Sequence, residues 1–213
     1  MFEGFSVIKP AEIEKESFAT ITRLLGEQTF PPLEAPIVKR VIHTTADFEF
    51  AHALHFTQDV VKQAAAAIRE GCHIVTDTKM AAAGINKREL GKYGGEVVCL
   101  IGDASVAKEA KERQITRSAV CMERLAPDAK NGIFALGNAP TALIRLSELI
   151  EEGKAHPRCV IGVPVGFVNV VDSKECILQT NTPSIVAKGR KGGSTVAAAI
   201  VNAILYMMRD GRA

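Results

Sequence analysis

Apolar residues fall into two rhythms along this 213-residue chain. Runs of four to six mostly apolar residues occur at His73-Ile74-Val75-Thr76-Asp77, Glu96-Val97-Val98-Cys99-Leu100-Ile101, Gly132-Ile133-Phe134-Ala135-Leu136, Cys159-Val160-Ile161-Gly162-Val163 and Ser184-Ile185-Val186-Ala187. Such runs lack polar alternation, as expected of strands buried on both faces. Between them, helical spacing covers 60–70, 104–114, 118–125, 141–152 and 195–209. This alternation predicts a mostly parallel sheet of about five strands with helices on both faces, a three-layer α/β/α architecture.

The first 60 residues follow a different pattern. Residues 11–25 read as a helix with Ile13, Phe18, Ile21, Leu24 and Leu25 on one side. Pro31-Pro32 breaks the chain, and 33–43 reads as a second helix with Leu33, Ile37, Val38, Val41 and Ile42 aligned. This N-terminal helical section offers no strand and is expected to pack over the sheet. With no repeat or long linker, residues 1–213 read as a single domain.

Composition narrows the function classes. The chain is 47% apolar and 23% charged, enough for a sizeable core. Lys and Arg number 26 against 24 Asp and Glu, a net charge of +2, and Trp is absent. Neither a basic face nor base-stacking platforms are indicated, so no nucleic-acid partner is expected. The five cysteines are scattered without a C-x-x-C pair, which suits reduced thiols in a cytoplasm and gives no metal site. Met1-Phe2-Glu3-Gly4 lacks a signal-peptide pattern, and the apolar stretch 195–208 contains Asn202 and is too short to span a bilayer. The expectation is a soluble cytoplasmic protein with no membrane partner.

In an open parallel sheet, ligands bind beyond the carboxyl ends of the strands. The segments that follow the strands are therefore the ones to inspect. Lys188-Gly189-Arg190-Lys191-Gly192-Gly193-Ser194-Thr195 combines three glycines with three cations just before a helix. Backbone can approach a ligand there, and cations with a helix N-terminus favour an anion, phosphate or carboxylate. The bland alternative is a flexible basic turn capped by Ser194. No P-loop spacing is present, and no G-x-G-x-x-G follows a strand. Thr116-Arg117-Ser118-Ala119 opens another helix, where Arg117 could clamp a carboxylate, although alone it reads as a solvated arginine. Lys79 follows the first strand run.

His43, in Arg40-Val41-Ile42-His43-Thr44-Thr45-Ala46-Asp47-Phe48, falls near a helix end. Imidazole titrates nearest neutrality and exchanges a proton at low cost. Thr44, Thr45 or Asp47 could orient its ring. Ser17 alone reads as an ordinary helix-surface hydroxyl. His52 and His55 form an H-x-x-H pair too weak, without a third strong ligand, to indicate a metal.

Together these pieces resemble the precorrin-8X methylmutase family, also met as cobalt-precorrin-8 methylmutase, from about Ile13 to Met207. The likeness rests on Ser17-Phe18, Val41-Ile42-His43, Thr116-Arg117-Ser118-Ala119, 137–143, 162–168 with Ser173-Lys174, Gly189-Arg190 and Gly192-Gly193-Ser194. It implies a flavodoxin-like fold, a homodimer and no cofactor. It further implies an isomerase that moves a methyl group from ring carbon 11 to ring carbon 12 of a tetrapyrrole, precorrin-8X or cobalt-precorrin-8, giving hydrogenobyrinate or cobyrinate. Its catalytic histidine matches His43, and its substrate-binding serine and arginine match Ser17 and Arg117, the arginine serving either its own site or the partner's. Thr116, Lys79, Gly189, Arg190, Gly192, Gly193 and Ser194 are the further candidates for holding the substrate's carboxylates, with Thr44, Thr45 and Asp47 behind His43. Two alternatives compete: a non-catalytic corrinoid carrier, and an α/β enzyme acting on a phosphorylated small molecule.

Overall fold

The computed structural model describes residues 9–57 and 59–213, so the Met1-Phe2-Glu3-Gly4 pattern lies outside the described residues. Each buried apolar run becomes a strand: β2 (Ile74–Thr76), β3 (Val97–Val98), β4 (Ile133–Leu136), β5 (Cys159–Gly162) and β6 (Ser184–Ala187). These five are parallel. A sixth strand, β1 (Leu54–Phe56), runs antiparallel against the β6 edge.

The sheet order is β1-β6-β5-β4-β2-β3. Taken alone, the parallel strands follow the 2-1-3-4-5 order of flavodoxin-like folds, with the switch point between β2 and β4. Alternate strand residues face opposite layers. Ile74, Ile133, Ala135, Cys159, Ile161, Ile185 and Ala187 pack in one core. Val75, Phe134, Leu136, Val160 and Val186 pack in the other.

The first layer holds α1 (Pro10–Leu25), α2 (Ala35–Thr45), α4 (Val60–Arg69), α6 (Lys87–Gly91) and α11 (Ser194–Arg209). The second holds α7 (Ala104–Arg113), α8 (Arg117–Leu125), α9 (Pro140–Glu151) and α10 (Val170–Gln179). Helix α11 is nearly apolar all round because it is covered by the sheet beneath and by α2 above. Helix α2 turns Ile37, Val38, Val41 and Ile42 onto it. Helix α1 lies outermost, burying Ile21 and Leu25 while Ile13 and Leu24 stay exposed.

Two expectations are corrected. The first 60 residues do supply a strand: β1 is three residues long, and its edge position against β6, not a periodic pattern, makes it one. Four helices are not anticipated by the spacing: α3 (Phe50–Ala53), α5 (Lys79–Gly84) and α6 are six residues or fewer, too short to show a period, and the ten-residue α10 carries Ser173 and Lys174 on its buried stripe. Among the described residues, no helix is long and apolar enough to cross a membrane.

Candidate active site

Helix α2 ends after Thr45 because Ala46 enters the left-handed region, φ 54°, while its N–H donates to the Ile42 carbonyl at 2.7 Å. A non-glycine residue there costs on the order of 1 kcal/mol. The turn leaves His43 exposed on the last helical turn and sends Asp47 away from it. His43 lines an open hollow of about 340 Å³ together with Ser17, Ile13, Thr20, Leu24 and Phe48. The hollow is largely apolar, with the His43 imidazole, the Ser17 and Thr20 hydroxyls and the Glu16 carboxylate as its polar lining, so the structure brings Ser17 and His43 together across the α1–α2 seam.

The residues expected to orient the imidazole are engaged elsewhere. The Thr44 hydroxyl donates to the Arg40 carbonyl and the Thr45 hydroxyl to the Val41 carbonyl, both at 2.9 Å. Asp47 pairs with Lys191 of the glycine-rich loop, and Glu49 joins the same ammonium at 2.9 Å. The Lys191 ammonium holds the Asp47 carboxyl below the usual carboxylate range, with the Glu49 N–H helping. Asp47 thus anchors the loop rather than the histidine.

That loop sits where the strands end. Gly192 lies so close to the β5 end that an added Cβ would come within 2.1 Å of the Val163 carbonyl oxygen, so only glycine fits. Gly193 donates to that same carbonyl at 2.8 Å. Ser194 does not cap α11, whose N-cap is Gly193; its hydroxyl pairs with the Thr78 hydroxyl at 2.8 Å. The side chains of Lys188, Arg190 and Lys191 are exposed.

Lys174 fastens the loop from below. Its side chain is buried, 1% exposed, and its ammonium donates to the carbonyls of Gly189 and Lys191 at 2.7 and 2.9 Å. Burial pushes this amine down to about 8. The unfolded chain therefore binds a proton between pH 8 and about 10.5 that the folded chain has lost, and folding stability rises over that window. Lys174→Met should abolish that rise in urea titrations while changing stability at pH 7 by about 1 kcal/mol or less. An unchanged rise in the variant would assign it to other groups.

A second hollow of about 530 Å³ opens at the switch point, lined by Asp77, Lys79, Gly102, Thr116, Arg117 and Asn138 among others. Thr116 caps α8, accepting from the Ala119 N–H at 3.2 Å, and pairs with the Thr141 hydroxyl at 2.8 Å. Lys79 and Arg117 are exposed at its rim, and among the described residues neither cation hydrogen-bonds to protein. Asp77, buried at the end of β2, accepts N–H bonds from Gly137, Asn138 and Ala139 at 3.0, 2.8 and 2.7 Å. Burial pushes its carboxyl above the usual range against the pull of these amides. Asp77 ties the β2 and β4 ends together across the switch point.

The structure therefore places the candidate residues Lys79, Thr116 and Arg117 in one hollow and Ser17 and His43 in another, with Gly189, Arg190, Gly192, Gly193 and Ser194 on the loop after β6. Asp77 and Lys174 receive no role from the sequence, although both stand in segments it singles out. Lys174 has a signal in hindsight: it sits at the buried spacing of Val170, Ser173 and Ile177, a charge on a core stripe. His52 and His55 fall on different elements, α3 and β1, and burial followed by Lys188 lowers the His55 imidazole.

The family model described as Precorrin-8X methylmutase matches residues 12–207. The chain belongs to the precorrin-8X methylmutase family. A cobalt-precorrin-8 methylmutase of Priestia megaterium is 45% identical over 96% of this chain and 91% of its own length. One from Salmonella typhimurium is 46% identical over 95% and 97%. A precorrin-8X methylmutase of Sinorhizobium is 33% identical over 90% and 92%. The crystal structure of precorrin-8X methylmutase from Thermus thermophilus superposes with a TM-score of 0.85 at 38% identity, covering 95% of this chain and all of the other. Precorrin-8X methylmutases are isomerases, so the expected enzyme class and fold both hold for this chain.

Proposed function

We propose that this chain moves a methyl group from ring carbon 11 to ring carbon 12 of a tetrapyrrole in corrin biosynthesis, with His43 as the acid. The observation that carries the reading is the placement of one exposed imidazole at the rim of an apolar hollow, beside a cationic, glycine-rich loop at the sheet edge. The C11–methyl bond breaks as the C12–methyl bond forms, so atoms and electrons balance within the substrate and no oxidant or reductant is consumed. A proton lent by His43 to the ring C system lowers the barrier and returns as conjugation re-forms. Ser17, Lys79, Thr116, Arg117 and the loop residues Gly189, Arg190, Gly192, Gly193 and Ser194 hold the acetate and propionate side chains. We favour the cobalt-containing substrate, because the relatives at 45–46% identity carry that name and those called precorrin-8X methylmutase stand at 33–34%.

The working form in this reading is a cytoplasmic homodimer of single-domain subunits. All five cysteines are free thiols, as a reducing compartment permits. Phe167 and Val168 on the β5–α10 loop are 88% and 76% exposed, an apolar surface suited to a second copy. His43 and Arg117 belong to opposite helical layers, which favours Arg117 serving the partner's site. Phe167→Glu is expected to convert a dimer to a monomer in sedimentation equilibrium; an unchanged mass would remove this loop from the interface.

Absorbance spectra of the protein with cobalt-precorrin-8 and with precorrin-8X test the function. A shift of the visible bands with the cobalt form supports the reading, since methyl migration alters ring conjugation. Binding without a shift would indicate a carrier. Binding of neither would favour the phosphorylated-ligand alternative.

A further inference from the structure

We propose that Phe18 is the positioning residue for His43, holding the imidazole by aromatic stacking in place of the usual hydrogen-bonded carboxylate. The inference rests on the reading of His43 as the proton donor.

A general acid must point its proton along one direction, and an imidazole on an exposed helix end turns about two side-chain torsions unless something stops it. The usual stop is a hydrogen bond from one ring nitrogen to a carboxylate or carbonyl. Here the nearby candidates do not hold the ring: Thr44 and Thr45 bond carbonyls of their own helix, Asp47 pairs with Lys191, and among the described residues no hydrogen bond joins His43 to the Glu16 carboxylate that lines the same hollow. What touches the ring is Phe18, with ring centroids 5.2 Å apart and planes inclined by 25°. That is a stacked pair, the arrangement two aromatic rings favour.

Phe18 is itself held from several sides. The Arg40 guanidinium lies 4.7 Å from its centroid and 5.0 Å from that of Tyr206 on α11, and Arg40 pairs with Glu14. Glu14 and Phe18 are four apart on α1, and Arg40 and His43 three apart on α2, so each pair shares one helix face. The two faces meet as a stack running Tyr206, Arg40, Phe18, His43. Phe18 does not line the His43 hollow but a separate groove with Arg40 and Tyr206, so the stack braces the imidazole without filling the hollow. The outermost helix α1 therefore does two things: it brings Ser17 to the rim, and it fixes the direction of the acid.

Phe18→Leu removes the ring and keeps an apolar side chain; Phe18→Tyr keeps the ring. In Phe18→Leu, kcat should fall about tenfold with KM and product affinity unchanged, since misdirected groups lose rate rather than binding. Phe18→Tyr should restore wild-type kcat. The His43 ring proton resonances, assigned by their loss in His43→Ala and displaced by the Phe18 ring current, should move in Phe18→Leu and hold in Phe18→Tyr. In a His43→Ala background, Phe18→Leu should cost nothing further. Should Phe18→Leu not fold, Phe18→Met is read in the same way. Wild-type kcat in Phe18→Leu, whatever the resonances do, or an equal loss of rate in the His43→Ala background, would overturn the inference. His43→Ala at the wild-type rate would instead overturn the reading of His43 on which it rests.

Discussion

His43→Ala is expected to lower kcat by about 10²–10⁴-fold, the usual contribution of a general acid, and to leave product affinity within about threefold. The split follows from its position. The ring is exposed, sits on the final turn of α2, and belongs to neither core, which α2 reaches through Ile37, Val38, Val41 and Ile42. Removing it should leave the fold and the cationic binding groups as they are. Steady-state turnover with parallel product titration measures both quantities. A wild-type kcat would exclude His43 as the acid. A loss of affinity equal to the loss of rate would make it a binding residue instead.

Asp77→Ala is expected to destabilise the protein by about 3–5 kcal/mol, because it strands buried N–H donors and no single replacement acceptor reaches all three. The Gly137 and Ala139 amides are buried and both bond the carboxylate. The effect should also reach the site, since an added Cβ at Gly137 would lie 2.7 Å from the Gly193 carbonyl oxygen and from Ser194 Cα, so the loops after β4 and β6 are in direct contact. If Asp77 ties the two strand ends, loosening β4 should weaken product binding along with stability. Chemical denaturation reads the first effect and a product titration the second. A loss under about 1 kcal/mol would mean that water satisfies the stranded amides.

How much of the fold and site is legible in the sequence follows from what each element depends on. Four of the five parallel strands are fully buried and the edge strand β3 is half-buried, and their apolar runs say so in the chain itself. The long helices carry clear stripes. Strand β1 depends on an edge of β6 that no local window contains, and α5 and α6 are only six and five residues long. Asp47 illustrates the same limit within the site. Four residues after His43 it looks like the partner of the imidazole, but the left-handed Ala46 turns it towards Lys191, 144 residues away in sequence. Ser17 and His43 meet in one hollow because α1 and α2 pack together, which the paired stripes imply. The stack behind His43 needs the relative rotation of two helices and a tyrosine from a third, and only coordinates supply that.

The most direct test is a carbon-13 NMR measurement on cobalt-precorrin-8 labelled at the methyl group of ring carbon 11, before and after incubation with the protein. The proposed isomerisation predicts that the label survives in full and that its resonance moves to that of a methyl on carbon 12, with correlation to the new neighbouring carbons. A bound substrate whose labelled methyl stays on carbon 11 would contradict it.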